Sequence, residues 1–167
     1  MSENSYSNPN RIATTAESFI QDGNYPEALY LYYGLLFENP NNGVALNGVG
    51  WILMNVYNDY DSAEENFRKA LKAEPDYFPT YVNCILLVNH IDELDKLEEL
   101  LKSASTIENA DHSFINAHFG ILEEKRHNYE EAIKFYENSL SETMDTDTAH
   151  TLNDSIERCE LKKNAVA

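Results

Sequence analysis

Small and aromatic residues recur along this chain at the spacing of one face of an α-helix. In the stretch from 61 to 75, Ala63, Phe67 and Ala70 stand at i, i+4 and i+7, and Pro75 then ends the pattern. The small residues would let a neighbouring helix approach closely. The same order recurs in two other stretches: Ala28, Tyr32 and Leu35, then Ala132, Tyr136 and Ser139. Repetition of one helical pattern indicates stacked structural repeats.

Nine helices are predicted, separated by short polar segments that contain Asn, Asp, Gly or Pro. Their predicted ranges are 9–21, 25–39, 43–57, 61–75, 77–90, 93–107, 113–126, 129–142 and 146–163. Asn8 before Pro9 is predicted as the N-cap of the first helix, and Asp92 as the N-cap of the sixth. Gly50 lies inside the third helix, where glycine costs about 1 kcal/mol against alanine, so we expect it to mark a close helix contact.

This pattern resembles the tetratricopeptide (TPR) repeat, a helix–turn–helix unit of about 34 residues. Ala16, Gly50 and Gly120 match the small residue of the family's first helix, and the recurring Ala–aromatic pairs match its second helix. One extra residue is needed in the turn between 55 and 61. The resemblance implies four units, at about 9–42, 43–77, 78–112 and 113–144, then a capping helix at about 146–163.

The third of these units is degenerate. Ile85 and Leu97 stand where the family has small residues, so we expect a splayed or irregular pair there. Residues 1–8 are predicted to be a flexible tail, and residues 164–167 a frayed end. The implied fold is all-α, a right-handed superhelical solenoid of antiparallel helix pairs with about nine helices. The last helix would cover the apolar face of the fourth unit.

Charge narrows the range of partners. The chain has a formal net charge of -17, which argues against nucleic acid and against an anionic membrane surface as partners. It suits a basic partner, or simply keeps the protein soluble. We expect no signal peptide and no membrane-spanning run, and Cys84 and Cys159 fit no metal or redox spacing. We therefore expect a cytoplasmic protein.

No catalytic, metal or cofactor motif stands out. The glycine-containing run 43–50 lacks the Lys-Ser/Thr of a phosphate-binding loop and falls within a predicted helix. Glu123 and His127 are four residues apart, but two ligands do not make a metal site. We expect no enzyme activity and no cofactor.

The resemblance also implies a concave groove lined by the first helix of each pair. The groove residues that it indicates for partner binding are Asn47, Trp51, Met54, Asn55, Asn83, Leu86, Asn89, His90, His118 and Ile121. Trp51 lies off the apolar stripe of its helix, so it is either a binding hot spot or packed beneath the neighbouring helix. The asparagines either pair with the backbone of an extended peptide or are ordinary solvated positions.

Cations are scarce in this predicted groove. Some TPR relatives bind the C-terminal carboxylate of heat-shock chaperones with Lys and Arg, whereas only Lys125 stands in such a position here. We therefore expect an apolar or basic ligand, or one that is both.

A second surface is predicted on the outer side of the second helix. Tyr30, Tyr33 and Phe37 stand at i, i+3 and i+7, away from the apolar face of that helix. An exposed aromatic stripe favours a partner or a homodimer contact. The alternative is that the N-terminal tail, with Tyr6, folds over it.

The sequence thus predicts a non-catalytic module that binds a protein or peptide segment, as an adaptor or scaffold. The alternative is a dedicated chaperone, or an immunity-like inhibitor, that holds a basic or apolar client.

Overall fold

The computed structural model describes residues 8–166, and every regular element in that range is helical. The α-helices are α1 Pro9–Gln21, α2 Tyr25–Glu38, α3 Gly43–Ile52, α4 Tyr60–Ala73, α5 Phe78–His90, α6 Leu94–Ala104, α7 His112–Lys125, α8 Tyr129–Glu142 and α9 Thr146–Val166. A π-helical turn, Leu53–Tyr57, follows α3. The chain divides into two compact units, Met1–Leu87 and Val88–Ala167, and the boundary falls within α5.

The predicted helices are confirmed with small shifts at their ends. Asn8 caps α1 as expected, because its side chain accepts a hydrogen bond of 3.0 Å from the amide of Asn10. Asp92 is not an N-cap, however. Its φ of 62° is left-handed, and Glu93 is the residue that precedes α6. The last helix continues to Val166, three residues beyond the predicted end at 163. The predicted tail, except for Asn8, lies outside the described residues.

The repeat is visible in the backbone of the turns. Left-handed residues stand at Gly23, Asn58, Asp92 and His127, one in each turn of the four predicted units. In three of these turns, an amide reaches back to the carbonyl five residues earlier: Asn24 to Phe19, Glu93 to Val88, and Asn128 to Glu123. This is the hydrogen bond of a Schellman turn. The turn of the third predicted repeat therefore has the same backbone hydrogen bond as the turns of the first and fourth.

In the turn of the second predicted repeat, the corresponding hydrogen bond spans one residue more. The amide of Asp59 bonds to the carbonyl of Leu53, six residues earlier, at 3.0 Å. The extra residue expected between 55 and 61 is thus taken up as a π-helical turn at the end of α3.

In the first compact unit, Met1–Leu87, the core lies between α1, α2 and α3. Ala16, Ala28 and Tyr32 are buried there with Val49 and Ile52. Gly50 confirms the expected close contact, since a Cβ at this position would lie 2.5 Å from the ring of Phe67 on α4. The helices can approach this closely only because Gly50 has no side chain.

The second compact unit, Val88–Ala167, contains the same kind of contact between a glycine and an aromatic ring. A Cβ at Gly120 would lie 2.5 Å from the ring of Tyr136, which is buried with Ala132, Leu152 and Cys159. Leu152 and Cys159 belong to α9, so the last helix covers the apolar face of α8, as expected.

An ion cluster on Glu124 holds α9 against α7 and α8. Arg158 donates to both carboxylate oxygens at 2.8 and 2.7 Å, Lys162 donates at 2.9 Å, and the hydroxyl of Tyr136 donates at 3.0 Å. The bonds from Arg158, together with those from Lys162 and Tyr136, lower the pKa of Glu124 to about 2. The carboxylate is therefore ionised at neutral pH and can bind both cations.

The close contact predicts opposite effects of the same substitution at two glycines. Gly50→Ala should lower the free energy of unfolding by about 1–3 kcal/mol, because the added methyl group must displace a buried ring. Gly34→Ala in α2 should raise it by about 0.5–1 kcal/mol, because nothing lies within 4 Å of the new Cβ and the unfolded chain loses entropy. Denaturant unfolding followed by circular dichroism measures both changes. Effects of equal sign at the two positions would contradict this account of Gly50.

Candidate functional site

A cleft of about 260 Å³ opens in the first unit between the predicted first helices. We call it the Trp51 cleft. Its lining residues are Glu17, Ile20, Gln21, Tyr32, Val44, Asn47, Gly48, Trp51 and Asn83. The structure therefore brings together three of the predicted groove residues, Asn47, Trp51 and Asn83.

Trp51 is partly packed against its neighbours and partly open to the cleft. It is half-buried, and its ring centroid lies 6.5 Å from that of Tyr25 at the start of α2. It also lines the open cleft. One part of the indole is thus held by packing, while another part faces unfilled space. This arrangement gives a rigid aromatic surface that costs little entropy when a partner binds.

The asparagines are partly engaged already. The side-chain amide of Asn83 donates to Asn47 Oδ1 at 2.8 Å, and Asn55 donates to the backbone carbonyl of Trp51 at 2.9 Å. The first bond uses one donor hydrogen of Asn83 and one lone pair of Asn47. Each of these two side chains retains further donor and acceptor capacity, which could pair with a peptide backbone.

Met54 and Leu86 differ in exposure. Met54 lies within the π-helical turn and is buried, and it is not among the residues that line the Trp51 cleft. A π-helical turn changes the angular spacing of the side chains that follow α3. Leu86 is 41% exposed.

The predicted groove residues of the second unit lie on α5 and α7. His90 is exposed, and Asn89 is half-buried with a carbonyl that accepts a 2.9 Å bond from Lys125. Lys125 also pairs with Asp92 at 2.8 Å. The only cation predicted for the groove is therefore already bound within its own unit. Ile121 packs at the edge of the core formed with α8 and α9.

His118 lies at a second cleft, of about 430 Å³, which we call the α7–α9 cleft. Its lining residues come from the start of α7, the end of α8 and the start of α9: Asp111, Ser113, Phe114, Ala117, His118, Glu142, Thr143, Met144, Asp145 and Thr148. Among these, His118 is one of the predicted site residues, and Ala117 stands at a groove position that the TPR resemblance implies. The others were missed because the helical pattern showed α9 as a cap and gave no sign of space beside it.

The aromatic stripe on α2 is exposed as expected. Tyr30, Tyr33 and Phe37 are 79%, 53% and 91% exposed, and Gly34 lies between them with no atom near the position of its missing Cβ. We call this surface the α2 face. The tail with Tyr6 that was considered as its cover lies outside the described residues.

Within residues 8–166, no three His, Cys, Asp or Glu side chains are grouped so that they could hold a metal ion. None of the helices in the same range is long and apolar enough to cross a membrane. Both cysteines are buried and free.

Comparison with solved structures identifies the fold. The chain superimposes on PilF of Pseudomonas aeruginosa with a TM-score of 0.83 at 15% identity, covering 94% of this chain and 69% of PilF. TTC0263, a TPR protein of Thermus thermophilus, gives 0.70 at 19% identity, covering 92% and 84%. Yeast Tom70 gives 0.82 at 15% identity, covering 96% of this chain but only 34% of Tom70. The fold is therefore that of a TPR helical solenoid.

No protein-family model matches the chain, and no curated protein matches it in sequence. The similarity to known proteins is therefore a similarity of fold only. TPR folds in general serve protein interaction, but the fold does not name a partner.

Proposed function

We propose that this chain is a non-catalytic interaction module that binds a segment of another protein on the inner faces of its first helices, as an adaptor or scaffold. The observation that carries the proposal is the Trp51 cleft. It places the only tryptophan of the chain beside two asparagine amides, on surface that the protein itself leaves open. Aromatic anchors of this kind dominate binding energy at interfaces, and amides can pair with an extended backbone.

The alternative role is that of a dedicated chaperone or immunity-like inhibitor. The net charge of -17 favours it, because such a protein would hold a basic or apolar client. The two roles differ in the partner, since a client would be insoluble alone whereas a partner of an adaptor would be stable alone. A cytoplasmic setting remains part of the proposal, and two free cysteines suit a reducing compartment.

Trp51→Ala should weaken binding of the partner that copurifies with the wild-type chain by about 2 kcal/mol, because the variant loses the aromatic anchor. Isothermal titration calorimetry measures the loss, and thermal melting checks that the fold is intact. The matched control is Tyr57→Ala, which removes an exposed aromatic ring that does not line the cleft. If the control weakens binding as much, the loss is not specific to the cleft and the proposed anchor is wrong.

The α2 face supports a second proposal, a homodimer contact through Tyr30, Tyr33 and Phe37. Its aromatic side chains are among the most exposed large hydrophobic residues of the described part of the chain. In a dimer, these rings would be removed from water.

Tyr33→Glu should convert a dimer into a monomer, because it places a charge in an apolar contact. Light scattering measures the molar mass. Tyr57→Glu is the matched control, since Tyr57 is 54% exposed against 53% for Tyr33 and lies outside the α2 face. A monomeric wild type, or an equal effect of both variants, would rule out this contact.

A further inference from the structure

The α7–α9 cleft is lined by acceptors of hydrogen bonds and by no cation. Three carboxylates stand on it, Asp111, Glu142 and Asp145, and neither Lys nor Arg is among its lining residues. Its volume of about 430 Å³ is at the small end of the range for ligand sites, which suits one or two side chains.

Helix capping accounts for part of this charge. Asp111 Oδ1 accepts from the amide of Phe114 at 2.9 Å, and Asp145 Oδ2 accepts from the amide and hydroxyl of Thr148 at 2.8 and 2.6 Å. Glu142 caps no helix N-terminus, and its Oε2 accepts only a long bond of 3.3 Å from Asn116. Each of these bonds uses a single oxygen of its carboxylate. The other oxygen of each group keeps its capacity to accept.

His118 is a second and independent indication of a ligand. It is only 8% exposed, and its Nδ1 lies 2.9 Å from the backbone carbonyl oxygen of Phe114. A carbonyl oxygen can only accept, so Nδ1 carries the proton and Nε2 presents a lone pair. Burial lowers the pKa of His118, which favours the neutral ring. Among the described residues, Nε2 has no hydrogen-bond partner, and the ring lines the cleft.

Apolar surface lies beside these acceptors. The ring of Phe114 lies 4.0 Å from that of His118, centroid to centroid, and Met144 is fully exposed at the rim. Aromatic faces attract cations, and methionine adapts its shape to a long aliphatic stem. A bare metal ion is a poorer fit, because the described residues contain no cluster of three ligands for one.

We propose that the α7–α9 cleft binds a lysine or arginine side chain of the protein segment, with its charged end at Glu142, Asp145 and His118 Nε2, and its stem against Phe114 and Met144. This inference rests on the proposed function, since it names the chemistry of one part of the bound segment. It gives Nε2 of this largely buried histidine a donor from which to accept a hydrogen bond.

The test is a titration of the full-length, isotope-labelled protein with Nα-acetyl-arginine amide, followed by NMR. Nα-acetyl-citrulline amide is the matched probe, because it keeps the shape of arginine and lacks the charge. The arginine probe should give saturable shifts confined to residues 111–118 and 142–148, while the citrulline probe should bind about tenfold more weakly or not at all. No saturable shift up to about 50 mM, or equal binding of both probes, would overturn the proposal.

Substitutions of carboxylates inside and outside the cleft distinguish binding at the cleft from attraction by the net negative charge of the protein. Glu142→Gln should weaken the arginine probe about tenfold, whereas Glu137→Gln, an exposed residue of the same helix outside the cleft, should have less than about a twofold effect. Asp145→Asn is a second variant that keeps the helix cap, since asparagine caps as well as aspartate. It should weaken the probe in the same direction. Equal losses for Glu142→Gln and Glu137→Gln would show that only net charge attracts the probe, against the proposal.

The outcome can be read apart from the proposed function. If the arginine probe fails to bind while Trp51→Ala still weakens the natural partner, the module binds a segment but not through a cation in this cleft. If the probe binds while Trp51→Ala has no effect on the partner, the cleft stands and the Trp51 anchor fails.

Discussion

The structure depends on the contact between a residue with little or no side chain on the first helix and a buried aromatic ring on the second. Gly50 meets Phe67 in this way, and Gly120 meets Tyr136. These contacts fix the distance between paired helices, because a single added methyl group would overlap the ring. One side of each first helix packs against the second helix of its pair. The other positions of the first helix can therefore form part of the protein surface. Trp51 and His118 stand at such positions, and both line clefts.

Cations are largely used to hold the second unit together. Arg158 and Lys162 bind Glu124, Arg126 binds Glu98 at 2.6 Å, and Lys125 binds Asp92. The carboxylates of the α7–α9 cleft have no such partner within the described residues. In this cleft, carboxylates without a cationic partner are accessible to a ligand. A basic segment is the ligand that this distribution favours.

Helices and turns could be predicted from the sequence because their signals are local. Asn8 before Pro9 begins a helix, and Gly50 in a helix interior indicates a close contact; the structure confirms both. The π-helical turn could not be predicted, since an extra residue can equally lengthen a loop. Asp92 was misread because aspartate both caps helices and tolerates left-handed backbone, and only the geometry distinguishes the two. The α7–α9 cleft was missed because it depends on space between three segments, which periodicity does not report.

The central claim, that a protein segment binds on the inner faces of the first helices, is tested most directly by photo-crosslinking in cells that naturally make the protein. A photoreactive residue at Gln21, which is exposed and lines the Trp51 cleft, is compared with one at Lys69, which is exposed on α4 outside it. The account predicts a crosslinked polypeptide from position 21 that is lost with Trp51→Ala, and none from position 69. A polypeptide crosslinked from position 69 and not from position 21 would contradict it.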